Sequence, residues 1–177
     1  MRISDTREIC DFISIHAAEF DHVNVTTSSQ KLLQFSRLGV LEGTVQHVFH
    51  TLEVCVLQKM QDFGPQEISN TLHIIAKKHK KTSILQQLER RAETISREFD
   101  SQSLPNTLWV YVTMGTKPGE QIMGQLERRA EVISGNFISQ NVANTLWAYV
   151  TMGINPGDRL MGQLERRTEE VSGEFNS

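Results

Sequence analysis

The segment QNVANTLWAYVTMG, Gln140 to Gly153, decides the fold, because QSLPNTLWVYVTMG, Gln102 to Gly115, precedes it by 38 residues. A second pair of segments keeps the same distance: PGEQIMGQLERRAEVISGNF, residues 118 to 137, returns as PGDRLMGQLERRTEEVSGEF, residues 156 to 175. A fixed period of about 20 to 50 residues is typical of repeat architectures, in which each unit packs on its neighbours. The sequence therefore predicts a tandem array.

The earlier part of the chain carries the same pattern in weaker form. SILQQLERRAETISREF, residues 83 to 99, matches the second pair, and ISNTLHIIAKKH, residues 68 to 79, matches the first. The final unit stops after its first helix, which suggests a fragment or one end of a longer array. We divide the chain into divergent units 1–40 and 41–79, close copies 80–115 and 116–153, and a half unit 154–177.

Each unit is predicted to contain two helices. Apolar residues of the first helix recur at the spacing of one helical face: Ile122, Leu126, Ala130, Ile133 and Phe137. The second helix has an apolar face made of Ala143, Leu146, Trp147 and Val150. Sustained alternation at period two, the pattern of strands, is absent. The predicted fold is an all-α solenoid of tandem helical hairpins with a period near 38 residues.

The predicted helix ends follow from capping residues. Asn155 with Pro156 indicates the start of a first helix. Ser101 and Ser139 are candidate caps of second helices. Two glycines are predicted to end second helices in the left-handed conformation, Gly115 and Gly153.

Two recurring side chains of the second helix have structural interpretations. Trp109 and Trp147 are predicted to be core residues that dock one unit on the next, with base stacking as the less favoured alternative. A hydrogen bond that locks adjacent hairpins is the favoured interpretation of the recurring Asn70, Asn106 and Asn144.

The first helix separates its polar side chains into an acidic flank and a Gln/Arg flank on a helical wheel. Arginine suits phosphate because its fork donates charge-assisted hydrogen bonds, and glutamine can pair with base edges. The alternative is that such an arginine is a solvated side chain or half of an ion pair between helices. The candidate RNA-binding pairs are Gln87 with Arg91, Gln125 with Arg129, and Gln163 with Arg167.

Many polar differences between the copies fall beside this flank, where they are expected to discriminate bases. Drift of exposed positions after duplication is the alternative interpretation. The acidic residues among them would repel phosphate in the last unit. The candidate specificity residues are Gln121, Val132, Asn136, Arg159, Glu170 and Glu174.

The run KKHKK, residues 77 to 81, is the strongest cluster of positive charge in the chain. Lys78, Lys80 and Lys81 are therefore added to the RNA-binding candidates, as a phosphate clamp or a targeting patch. A solvated loop between hairpins is the alternative.

Composition and motifs exclude several classes. The 177 residues, 38% hydrophobic, with net charge −3, are typical of one soluble domain and disfavour wholesale coating of nucleic acid. No apolar run reaches the roughly 18 residues of a membrane span. His47, His50 and Cys55 lack a second ligand pair, so no metal site is predicted. Since phosphate-binding loops and nucleophile elbows are also absent, we predict no enzyme, cofactor or small-molecule substrate.

The motif NTLWAYVTMG followed by PGDRLMGQLERR, residues 144 to 167, resembles the octotricopeptide-type repeats. Related repeats occur in proteins that end in an RAP domain and in algal chloroplast translation factors. The resemblance extends from Ile68 to the end of the chain. It implies tandem helical pairs that bind organellar RNA sequence-selectively, in processing, stability or translation.

The sequence thus leads to a non-catalytic protein that binds single-stranded RNA. The alternative is a protein–protein scaffold without an RNA role. The resemblance implies a chloroplast or a mitochondrion, whereas the lack of a clear transit peptide keeps a cytoplasmic location open.

Overall fold

The chain is all-α in a computed structural model, which describes residues 6–36, 42–77 and 83–173. These residues form helices joined by short turns and contain no strand. The helices are α1 (Thr6–His16), α2 (His22–Ser36), α3 (Glu42–Lys59), α4 (Pro65–Lys77), α5 (Ser83–Thr94), α6 (Ser103–Thr113), α7 (Glu120–Ile133), α8 (Ser139–Met152) and α9 (Asp158–Gly173). Short 3-10 turns follow α1, α3, α5 and α7.

The helices pack in two rows. The odd row is made of α1, α3, α5, α7 and α9, each beside the next odd-numbered helix. The even row is made of α2, α4, α6 and α8, with α6 packed between α4 and α8. Contacts of α4 with α5 and of α8 with α9 connect the rows. The result is a helical repeat-like all-α architecture with one hydrophobic core.

The odd-row helices bury the face that their sequence period predicts. All five predicted positions of α7 and its following turn are buried: Ile122, Leu126, Ala130, Ile133 and Phe137. A buried phenylalanine follows each 3-10 turn, at Phe20, Phe63, Phe99 and Phe137. The phenylalanine ends the turn in an extended conformation and anchors it in the core.

Helix α8 differs from the prediction, because its buried face is not the predicted one. Its buried residues are Val142, Thr145, Ala148, Tyr149 and Met152. Trp147 is 47% exposed, so its predicted core role is wrong. Trp109 packs against the core and stacks on His73, with ring centroids 5.4 Å apart. The difference arises because α6 lies between two even-row helices, whereas α8 has one even-row neighbour in the described chain.

The predicted glycine ends of the second helices are confirmed. Gly115 and Gly153 have φ angles of 63° and 62°, a region that side chains with a Cβ rarely adopt. The residue after each glycine donates its N–H to a tyrosine carbonyl five residues back, at 3.1 Å and 3.0 Å respectively. These bonds satisfy carbonyls that would otherwise lack a partner at the helix end.

The predicted serine caps are wrong. The carboxylate of Asp100 accepts the N–H groups of Gln102 and Ser103 at 3.0 Å and 2.7 Å before α6. Before α8, the side-chain oxygen of Asn141 accepts the N–H of Ile138 at 3.0 Å. The Asp100 carboxylate before α6 and the Asn141 amide oxygen in the first turn of α8 thus make the side-chain bonds that were predicted for the hydroxyls of Ser101 and Ser139.

The predicted start at Asn155 and Pro156 is also displaced, because α9 begins at Asp158. The N–H of Gly157 donates to the carboxylate of Glu127 on α7, at 3.0 Å. This bond between neighbouring odd-row helices fixes the chain just before the helix starts.

The recurring asparagines do not make the predicted lock in the bonds that the structure describes. The amide oxygen of Asn70 accepts from Gln66 at 3.3 Å, and that of Asn144 accepts from Gln140 at 2.9 Å. Both donors lie one turn earlier in the same helix. These bonds therefore stabilise single helices rather than the contact between hairpins.

Candidate functional site

A cleft of about 360 Å³ lies between α5 and the 3-10 turn that follows α3. Two guanidinium groups, three amides, a hydroxyl and a thioether line it, and none of the lining residues is acidic. The cleft therefore offers donors for an anion and for polar groups of a base edge. The lining residues are Met60, Gln61, Gln86, Gln87, Arg90, Arg91 and Thr94, which include the first predicted Gln/Arg pair.

The three predicted RNA-binding arginines share one contact. The Nε of each donates to the backbone carbonyl of the buried phenylalanine that follows the preceding odd-row helix. The bonds are Arg91 to Phe63 at 2.9 Å, Arg129 to Phe99 at 2.6 Å, and Arg167 to Phe137 at 2.6 Å. Each arginine thus joins two odd-row helices, a role that the sequence analysis missed because the acceptor is a backbone atom.

The three predicted glutamines lie in different surroundings. Gln87 is exposed at the cleft. Gln125 and Gln163 are partly buried, and the side-chain oxygen of each is shielded from solvent with no hydrogen-bond partner among the described residues. A shielded polar atom without a partner costs about 1 to 3 kcal/mol. Sequence identity between the copies therefore does not give these side chains the same environment.

The predicted specificity residues that the structure describes are exposed. On α7 and its following turn they are Gln121, Val132 and Asn136. Arg159 pairs with Glu131 on α7 at 3.3 Å, and Glu170 pairs with Arg167 at 2.9 Å. In each pair the specificity candidate is the more exposed partner, at 77% for Arg159 and 54% for Glu170, so it stays accessible to solvent.

Four candidates lie outside the described residues: Lys78, Lys80, Lys81 and Glu174. Lys77, which opens the basic run, is the last residue of α4.

A second recurring contact connects the rows. The hydroxyl of Tyr111 donates to Glu89 at 2.9 Å, and that of Tyr149 donates to Glu127 at 3.2 Å. Burial, together with the neighbouring carboxylate, raises the pKa of both tyrosines above their ordinary range. Each tyrosine follows its glutamate by 22 residues, a constant spacing that is visible in the sequence and that the sequence analysis did not use.

Other kinds of site find little support in the part of the chain that the structure describes. Residues 6–36, 42–77 and 83–173 bring no three potential metal ligands together. Cys10 and Cys55 are buried as free thiols, and burial raises the pKa of each. None of the described helices combines the length and the apolar character needed to cross a membrane.

Comparisons with known proteins add no assignment. A scan against protein-family models found no match, and a search of curated proteins found none either. The relation to octotricopeptide-type repeats accordingly stays a prediction.

Replacing Arg129 with methionine is expected to lower the free energy of unfolding by about 2 kcal/mol. Methionine fills a similar apolar volume but cannot donate to the Phe99 carbonyl, and hydrogen bonds to charged groups contribute about 1.5 to 3 kcal/mol. Urea unfolding followed by circular dichroism measures the change. Arg128→Met, at the exposed neighbouring position, is the control with a smaller expected effect. Equal losses in the two variants would contradict a structural role for Arg129.

Proposed function

We propose that the chain is a non-catalytic RNA-binding protein, built as an α-solenoid of helical hairpins with a period near 38 residues. The recurrence of the arginine–carbonyl bond at Arg91, Arg129 and Arg167, each 38 residues from the next, supports the solenoid. A role in the processing, stability or translation of organellar RNA rests on the resemblance to octotricopeptide-type repeats.

The observation that carries the RNA proposal is the cleft between α5 and the turn that follows α3. It brings the guanidinium groups of Arg90 and Arg91 together with the amide of Gln87, and no carboxylate lines it. Its volume of about 360 Å³ is within the range of small-ligand pockets. A phosphate held by the arginines would place the attached base among amides and the Met60 thioether.

The two arginines have different parts in this arrangement. Arg91 is held by its Nε bond to Phe63, which orients its guanidinium plane before RNA arrives. Arg90 is exposed and adds a second positive charge to the cleft. Preorganised donors lose less conformational entropy on binding.

The position that varies between copies also borders the cleft. Thr94 lines it and corresponds to Val132 and Glu170 in the next two units. A constant Gln/Arg pair beside a changing side chain is the arrangement that a modular reader of RNA needs, with one part contacting the backbone and the other selecting the base.

The test uses Arg90 because Arg91 also holds the fold. Binding of fluorescently labelled single-stranded RNA is measured by anisotropy over a series of salt concentrations. We expect affinity to fall with salt, and Arg90→Ala to lower the slope of log K against log salt by about 0.7, the value for one phosphate contact on a single strand. Lys117→Ala, which removes an exposed positive charge that does not line the cleft, should leave the slope unchanged.

Two results would overturn the proposal. One is no detectable RNA binding at low salt. The other is a loss of affinity and slope in Arg90→Ala that equals the loss in Lys117→Ala, because the cleft would then contribute no more than any surface charge.

A protein-binding role has separate support from an apolar surface on α8, which is remote in sequence from the cleft.

A further inference from the structure

One face of α8 is largely exposed, although the same positions are buried or partly buried one unit earlier. We name Ala143, Leu146, Trp147 and Val150 the α8 outer face. Val150 is 77% exposed and Ala143 is exposed, whereas their counterparts on α6, Val112 and Pro105, are partly buried and buried. The difference follows from packing, since α6 has α8 beside it and α8 has no further even-row helix in the described chain.

A glutamate on the neighbouring helix α9 also lacks the tyrosine partner that its counterparts have in the earlier units. Glu89 and Glu127 each accept the hydroxyl of a tyrosine on the even-row helix that follows. Glu165 holds the third position of this series, on α9, and is exposed. The chain has two tyrosines, both engaged by the earlier glutamates, so it supplies none for Glu165.

The surroundings of Glu165 fit a missing neighbour. Thr168 on α9 is exposed, whereas its counterparts Ala92 and Ala130 are buried. Helix α9 contacts α8, and its exposed Glu165 and Thr168 hold positions whose counterparts in the earlier units are hydrogen-bonded or buried.

We infer that the α8 outer face, together with Glu165, binds one further helix of the even-row type. That helix packs against α8 in the way that α8 packs against α6. A tyrosine on it donates its hydroxyl hydrogen bond to Glu165. The helices α6 and α8 indicate the composition of this partner helix. Both contain no charged residue and bury a face of apolar and hydroxyl side chains. The occupant is a partner helix with the pattern of α8 itself.

The charge of the surface favours this occupant over nucleic acid. Its side chains carry no positive charge and only one donor, the indole N–H of Trp147, and Glu165 repels phosphate. An uncharged helix buries the apolar face without leaving an unpaired charge, and the tyrosine satisfies the carboxylate as it does at Glu89 and Glu127. The inference does not depend on RNA binding.

The test measures binding of a synthetic peptide, residues 138 to 153 with a fluorescent label, to the full chain by anisotropy. An isolated helix of this length is marginal in water, so part of the binding energy goes into helix formation. We expect saturable binding that Val150→Glu in the protein abolishes. Val132→Glu is the matched control, because Val132 is 73% exposed on α7 and is not part of the α8 outer face, so its change should leave binding intact.

A double-mutant cycle tests the tyrosine contact. The peptide with Tyr149→Phe should bind the protein about tenfold more weakly than the parent peptide, the loss expected for a hydrogen bond to a charged acceptor. Against the Glu165→Ala protein the two peptides should bind equally.

Three outcomes would overturn the inference: no saturable binding, an equal loss in Val150→Glu and Val132→Glu, or a tyrosine effect that persists in Glu165→Ala. Self-association of the full chain that Val150→Glu abolishes, without peptide binding, would assign the face to a second copy instead.

Discussion

Replacing Phe99 with alanine is expected to lower the free energy of unfolding by about 3 to 5 kcal/mol, the usual loss for a large side chain removed from a core. Phe99 is fully buried and ends the 3-10 turn after α5. Its carbonyl also accepts the Nε of Arg129, so a shift of the turn would weaken the contact between α5 and α7.

Urea unfolding at neutral pH measures this loss from the midpoint and the slope. Phe12→Ala is the matched control, since Phe12 is partly buried on α1 and packs beside His16 and Phe20. We expect less than half the effect there. A loss at Phe99 no larger than at Phe12 would show that the phenylalanine after the turn is not an anchor.

Stability is expected to decrease steeply above about pH 10. Burial, with the neighbouring carboxylates of Glu89 and Glu127, raises the folded-state pKa of Tyr111 and Tyr149 above the unfolded value near 10. A raised folded pKa means that the stabilisation is complete below the unfolded pKa and is lost as the pH rises toward the folded one. Each tyrosine then contributes about 1.4 kcal/mol of loss per pH unit, or roughly 2.7 kcal/mol for both.

The measurement compares urea midpoints at about pH 9 and pH 11 with tyrosinate absorbance at the same pH values. Because these are the two tyrosines of the chain, the absorbance should rise only as the protein unfolds. The raised pKa of the Cys10 and Cys55 thiols adds loss in the same direction, so the control is the double variant Tyr111→Phe, Tyr149→Phe, which should lose less stability with pH. Tyrosinate formation in the folded protein near pH 10 would contradict the assigned contacts.

The sequence predicts best where one helix face alone decides burial. The helical spacing of Ile122, Leu126 and Ala130 directly predicts which residues of an odd-row helix are buried, because those helices bury one face and expose the other. The helix end at Gly153 is equally predictable from the sequence, since a positive φ favours glycine whatever lies nearby.

Features that depend on a distant partner could not be read in this way. The acceptor of Arg129 is the backbone carbonyl of Phe99, which no side-chain pattern marks, so charge alone suggested a phosphate contact. Trp147 has nearly the same local sequence as Trp109, and the number of neighbouring helices accounts for their different exposure. The cleft depends on how the turn after α3 packs against α5, which no local sequence pattern marks.

The most direct test of RNA binding at the cleft is photo-crosslinking of a single-stranded RNA that carries a photoreactive base, followed by mass spectrometry of the digested protein. We expect crosslinks in the segments that line the cleft, residues 60–61 and 86–94. Crosslinks confined to the even-row helices, with the cleft segments unmodified, would contradict the proposed role of the cleft.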